Sequence, residues 1–240
     1  MKRLLLIVLP LLLIVGCSKE PINYETTLVE REGVFYTNDT NKPYSGPVFS
    51  LYVDGKKYDE GTLKDGKMIS KTEWEWYDNG QKKEGVTYKN KKKDGLNTKW
   101  YESGEKYSEG NYKSGLMDGY WTYYFENGKK NCEGSYLNGD GIDLGNTGFP
   151  RNGRDGLWTF WYENGQKSQE GTYKDGKPDG LWLWWYENGQ KKQEKTYKDG
   201  EEDGLFTNWY ENGQKKFEVT IKDGELISEK YWNEDGSVKE

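Results

Sequence analysis

"LWLWWYENGQKKQEKTYKDG" occupies residues 181–200, and close copies flank it: "LWTFWYENGQKSQEGTYKDG" at 157–176 and "LFTNWYENGQKKFEVTIKDG" at 205–224. A fixed period of this length marks a repeat architecture, so the copies can be aligned on one another. The turn glycines Gly80, Gly104 and Gly128 stand 24 residues apart, as do Gly165, Gly189 and Gly213, while 37 residues separate the two trios. Six full copies follow, over about 70–228, with looser units at both ends. An insertion, "DGIDLGNTGFPRN" at 140–152, separates the third copy from the fourth.

Each copy reads as a β-hairpin. "LWTFWY" (157–162) is rich in strand-forming aromatics. Asn164–Gly165 is a strong short hairpin signal and predicts a type I′ turn with both residues at positive φ. "QKSQEGTY" (166–173) returns, and "KDGKPDG" (174–180) turns the chain into the next unit. Links this short make neighbouring strands antiparallel. The expected fold is all-β: an elongated, single-layer antiparallel meander of hairpins of about 24 residues, held by cross-strand aromatic contacts.

Composition agrees with a thin structure. Hydrophobic residues make up only 32% of the 240, yet 11 Trp and 20 Tyr supply large buriable side chains. Aliphatic residues are too few for a thick two-layer core, and the aromatics argue against disorder.

The chain starts "MKRLLLIVLPLLLIVGC", with basic Lys2 and Arg3 before an apolar run from Leu4 to Val15. The run is short for a membrane span and Pro10 interrupts it, which predicts a secretory signal peptide over 1–16. The "IVGC" ending resembles a bacterial lipobox, which makes Cys17 the lipidated first residue of an exported lipoprotein. Residues 17–32 then read as a lipidated tether and 33–240 as the repeat domain. The resemblance implies an envelope location, and Ser18 after the cysteine points to the outer membrane.

Net charge is −6; removing Lys2 and Arg3 takes away two positive charges and leaves −8. Such a surface has no overall attraction for nucleic acid or anionic headgroups, so the membrane contact expected is the lipid anchor alone. The chain has no histidine, which excludes histidine-based triads, general bases and metal sites. Beyond Cys17 only Cys132 remains, so no internal disulfide framework is expected. "NGDGID" (138–143) is only a fragment of a calcium loop and lacks the closing bidentate carboxylate. No catalytic residue, metal or cofactor is expected.

The text "YENGQKKxEGTYKDGKxDGLW", with "GVFYTNDTNKPYSGPVFSLYVDGKK" (33–57), resembles the MORN-variant repeat family of bacteria, many members of which are grouped as YwqK-type antitoxins. The resemblance runs from Gly33 to the end. It implies an elongated, repeat-built binding or scaffold protein without enzymatic activity. An export signal separates this chain from a cytoplasmic antitoxin.

Comparing the copies separates two sets of positions in the first strand. Position five is always aromatic and position six is always Tyr or Phe, as a structural column requires. Positions two and four are polar in the first two copies, with Glu73, Glu75, Asn97 and Lys99. They become Trp121, Tyr123, Trp158, Phe160, Trp182 and Trp184 in the middle three. These six lie on one face. They are expected either to form a partner-binding patch beside the insertion or to be core on a sheet that curls over them. The partner expected is a protein, either a toxin or another envelope component. A structural scaffold of the envelope, or a glycan stacked on the aromatic face, are the alternatives.

Overall fold

The computed structural model of the protein describes residues 19–142 and 149–239. The signal peptide and Cys17 lie outside the described residues. The chain forms one open sheet of 16 strands in sequence order, antiparallel apart from the first pairing, in which Ile22–Asn23 lies parallel to Gly46–Leu51. A separate two-stranded hairpin, Leu28–Arg31 with Val34–Thr37, caps that end. The six copies are the hairpins Lys67–Trp76/Lys82–Lys89, Lys92–Trp100/Lys106–Lys113, Leu116–Tyr124/Lys130–Gly139, Arg154–Trp161/Lys167–Lys174, Lys177–Trp185/Lys191–Lys198 and Glu201–Trp209/Lys215–Lys222. The expected meander is the observed fold.

The Asn–Gly turn is not of the expected type. Asn164 is absent from the residues at positive φ, and Gly165 alone has φ of 93°. Tyr162 N–H donates to Gln166 O around a three-residue loop, and Gly165 N–H donates to Tyr162 O. That is a type I turn closed by a left-handed glycine, not type I′. Two adjacent positive-φ residues occur instead at the links between units, such as Asp175–Gly176 (51° and 76°) and Asp199–Gly200 (53° and 95°).

The asparagine at the loop has a different task. Asn164 Oδ1 accepts from Gln166 N–H, and its Nδ2 donates to Glu187 O in the next unit. Asn188 and Asn212 repeat both bonds one unit on. Beside them, Tyr162, Tyr186 and Tyr210 hydroxyls donate to Trp185, Trp209 and Trp232 carbonyls at 2.7, 2.8 and 3.1 Å. Position six is therefore a clip between units.

One boundary is corrected. Residues 17–32 were expected to form a tether, but the chain is folded from Ile22 onward. Leu28 is buried with Val48 and Leu63, and Ile22, Tyr24 and Phe35 pack around them. Tyr24 hydroxyl donates to the buried Asp59 carboxylate at 2.8 Å. The core holds Ile22–Asn23 against Val48–Phe49, so that this short strand pairs with the edge of Gly46–Leu51, which would otherwise present open hydrogen-bonding groups.

Candidate functional site

The two faces of the sheet differ, in the opposite sense to the docking-patch expectation. Position-two tryptophans lie flat on the backbone of the preceding strand, over Gly110, Gly134 and Gly171. A Cβ on those glycines would stand 2.1, 2.3 and 2.1 Å from the rings of Trp121, Trp158 and Trp182 respectively. Return-strand tyrosines stand edge-on between the indoles. The result is a ladder of seven rings: Tyr112, Trp121, Tyr136, Trp158, Tyr173, Trp182 and Tyr197. Successive centroids are 4.9–6.4 Å apart and planes meet at 79–88°. Edge-to-face pairs of this kind contribute about 0.5–1.5 kcal/mol each beyond area burial. Each indole N–H is also satisfied: Trp121, Trp158 and Trp182 donate to the carbonyls of Asn111, Ser135 and Thr172 at 3.0–3.1 Å.

Glycine beneath, tyrosine at both edges and, at Trp158, Arg154 over the ring let a single layer bury its tryptophans. Trp158 is 0% exposed, and Trp121, Tyr123 and Trp182 are also buried. Phe160 and Trp184 are half-buried, packed on Trp158 and Trp182. Four of the six residues expected on a docking patch are thus inaccessible to a partner in this structure, and the core alternative describes them. The inner rings also lack the open face on which a sugar stacks. Within the chain, aromatics at these positions are not optional decoration; they are the interior.

The insertion packs on this ladder. Phe149 meets Tyr123 edge-on at 5.0 Å. Arg154, buried, sets its guanidinium 4.3 Å from the Trp158 centroid. It donates to Pro150 O at 2.9 Å, to Phe149 O at 3.4 Å and to Tyr173 hydroxyl at 3.1 Å. A cation enclosed by rings and carbonyls was not legible in the sequence, where Arg154 occupies the place of Lys93 and Pro178. Cys132 lies at the centre of the same cluster, and burial pushes its thiol up to about 12. A thiol so placed stays protonated at neutral pH and is a poor nucleophile. Among the described residues, no group of three His, Cys, Asp or Glu side chains is placed to hold a metal ion.

The opposite, outer face is open. Position one carries Leu96, Tyr120, Leu157, Leu181 and Leu205, exposed by 46–59%. Equivalent strands lie two apart, so the row has a spacing of roughly 9–10 Å and spans about 40 Å. Asn111, Ser135, Thr172 and Thr196 alternate with it, paired across the ladder. On the same face the return strands of the second to sixth copies each carry an ion pair: Lys106–Glu109, Lys130–Glu133, Lys167–Glu170, Lys191–Glu194 and Lys215–Glu218. Lys130, Lys167 and Lys191 also sit 5.6–5.9 Å from the rings of Trp161, Trp185 and Trp209 in the next unit. These are exposed pairs and add little stability individually. Sequence comparison singled out positions two, four, five and six and left position one unassigned; alternation alone does not say which face is covered.

The geometry defines a repeat protein whose units share one sheet, with an aromatic interior and an exposed apolar row. The family model described as MORN repeat variant matches five stretches, residues 93–114, 117–138, 154–175, 178–199 and 202–223, just under half of the chain. These are the second to sixth copies. The first, around Gly80, falls outside the match although it folds as the same hairpin; its Glu84–Gly85 pair comes one residue earlier than Glu109–Gly110 does in the next copy. No curated protein matches this chain. Among solved structures, the crystal structure of TcdB2-TccC3 aligns with 85% of this chain at 9% identity and a TM-score of 0.28. The crystal structure of TcdB2-TccC3-Cdc42 aligns with 80% at 10% identity and 0.27. The chain spans 13% and 12% of the lengths of those proteins, and likenesses at these scores carry no argument.

Proposed function

We propose that this chain is a non-enzymatic, lipid-anchored envelope protein that serves as a protein-binding module through its outer face. The observation that carries the reading is the row Leu96, Tyr120, Leu157, Leu181 and Leu205, one exposed apolar side chain per unit on a regular lattice. Set between Asn, Ser and Thr at a spacing of roughly 9–10 Å, these side chains offer a regular series of apolar anchors within a polar surround, which supports a protein partner that spans several units. The matches to the MORN repeat variant support a repeat-built binding role. The "IVGC" ending supports the anchor, with Cys17 as the acylated residue, and two or more acyl chains hold firmly at about 0.8 kcal/mol per buried methylene. An immunity-like role against an exported toxin is the form of the reading that fits both the antitoxin resemblance and the export signal.

The test is retention of envelope proteins on the immobilised full chain, native against Leu157→Asp/Leu181→Asp. Both leucines are exposed, so the double variant should keep its melting temperature to within a few degrees. Loss of a protein retained by the native chain supports the reading. An identical set of retained proteins on both, or none on either, overturns it.

A further inference from the structure

The aromatic ladder ends at Tyr112 on one side and at Tyr197 on the other; beyond Tyr197 Lys195 covers Phe206, whereas beside Tyr112 there is a cleft. In copies three to five, position two is tryptophan and the ring lies over a glycine. In copy two, position two is Asn97 and the residue opposite is Val86, so no ring is present. Tyr136 and Tyr173 each stand between two indoles; Tyr112 meets Trp121 on one side, and the cleft opens beside it. Its volume is about 220 Å³, below the roughly 300–1,000 Å³ of ordinary small-molecule pockets and fit for a single ring system. Tyr112, Trp121 and Tyr123 form aromatic walls, with Ser108 and Lys99 on the polar side and Pro150 at the rim.

Asn97 supplies the second, independent observation. Its side chain is 1% exposed, and its Nδ2 donates to the Glu84 carboxylate at 2.9 Å and to Gly85 O at 3.3 Å. Its Oδ1 is buried without a hydrogen-bond partner. A buried amide oxygen without a donor is costly, and native structures seldom leave one so. The cleft therefore combines a missing ring with an acceptor that lacks a donor. The chain shows three times what fills such a place: an indole lying flat against the sheet, edge-on to a tyrosine, with its N–H donated to a protein oxygen.

We propose that this cleft binds a planar ring of the indole class, seated beside Tyr112 with its N–H donated to Asn97 Oδ1. The site is on the inner face and does not depend on the outer-face reading. The ring can come from a small molecule or from a tryptophan of another polypeptide, and the two sources are separable.

The test is calorimetric titration of the full chain with three probes: indole, 1-methylindole and the blocked tripeptide acetyl-Gly-Trp-Gly-amide. Indole should bind saturably at one site, roughly threefold to tenfold more tightly than 1-methylindole, which has the ring without the donor. Asn97→Leu should make the two equal. Val86→Gly/Asn97→Trp, which rebuilds the arrangement of copies three to five, should weaken indole at least tenfold while keeping the native circular dichroism. Should that variant unfold, Asn97→Leu and the methylated probe still decide. Tripeptide affinity matching indole identifies a polypeptide source, and indole alone a small molecule. Equal affinities of indole and 1-methylindole for the native chain, no saturable binding, unchanged binding in the refilled variant, or displacement of indole by N-acetylglucosamine overturns the proposal.

Discussion

Adding one methyl group at Gly134 separates two expectations about the inner face. Gly134 is not among the glycines at positive φ, so alanine suits its backbone, and Gly→Ala there would ordinarily stabilise by about 0.4–1 kcal/mol through the unfolded chain. The ring of Trp158 reverses the sign. The new Cβ would lie 2.3, 2.4 and 2.5 Å from its Cδ2, Cε2 and Cγ. Ordinary contact would lift the indole by an ångström or more, and overpacking of this kind costs about 1–3 kcal/mol. The displaced ring also loosens its contacts with Tyr136 and Tyr173, at about 0.5–1.5 kcal/mol each, and its bond to Ser135 O. The net expectation is destabilisation by about 2–4 kcal/mol, read from urea unfolding followed by tryptophan fluorescence. A double-mutant cycle isolates the cause. In a Trp158→Ala background the ring is gone, and Gly134→Ala should become neutral or stabilising. If Gly134→Ala stabilises the native chain, or costs the same with and without Trp158, the account of how one layer buries its rings is wrong.

Three further outcomes follow from other contacts. Phe125 is the one position-six residue among the six copies without a hydroxyl, so the seam across the insertion lacks the tyrosine clip; Phe125→Tyr should raise stability by about 0.5–1.5 kcal/mol, seen as a higher melting temperature. Cys132 is wholly buried with its thiol held at about 12, so it should resist thiol reagents at pH 8 in the folded chain and react fully in urea. Burial holds Cys132 and Tyr136 at about 12 against ordinary values of 9.0 and 10.0, and holds Tyr123 higher still. The unfolded chain therefore gives up these protons first, the folded state binds more protons above pH 9, and stability falls as pH rises. The urea midpoint should be steady with respect to these groups below pH 9 and decline between 9 and 12; a midpoint that rises there refutes the assignment.

The period could be read from the spacing of turn glycines, the hairpins from aromatic strands on either side of Asn–Gly, and the single layer from the scarcity of aliphatic residues. Which turn is which could not: Asn–Gly suits type I′ in isolation, but Tyr162 and Gln166 pair across Asn164 and leave only Gly165 left-handed. The first edge escaped notice for a different reason, since Ile22 and Leu28 precede the repeats and meet Val48 only in three dimensions. The two faces are the instructive case. Alternation sorts residues into two sets but does not say which set is covered. A signal for the right answer was present in the return strands. Gly110, Gly134 and Gly171 precede Trp121, Trp158 and Trp182, whereas Val86 precedes Asn97 and Lys195 precedes Phe206. Lys195 shows the rule from its exception: with a side chain in place of glycine, its ammonium sits 4.4 Å from the Phe206 centroid and the indole is gone. A tryptophan can lie down only where the neighbouring strand has no side chain, so the glycine and the indole occur together. That coupling is steric, it operates within one chain, and it marks Asn97 as the point where the interior gives way to the cleft.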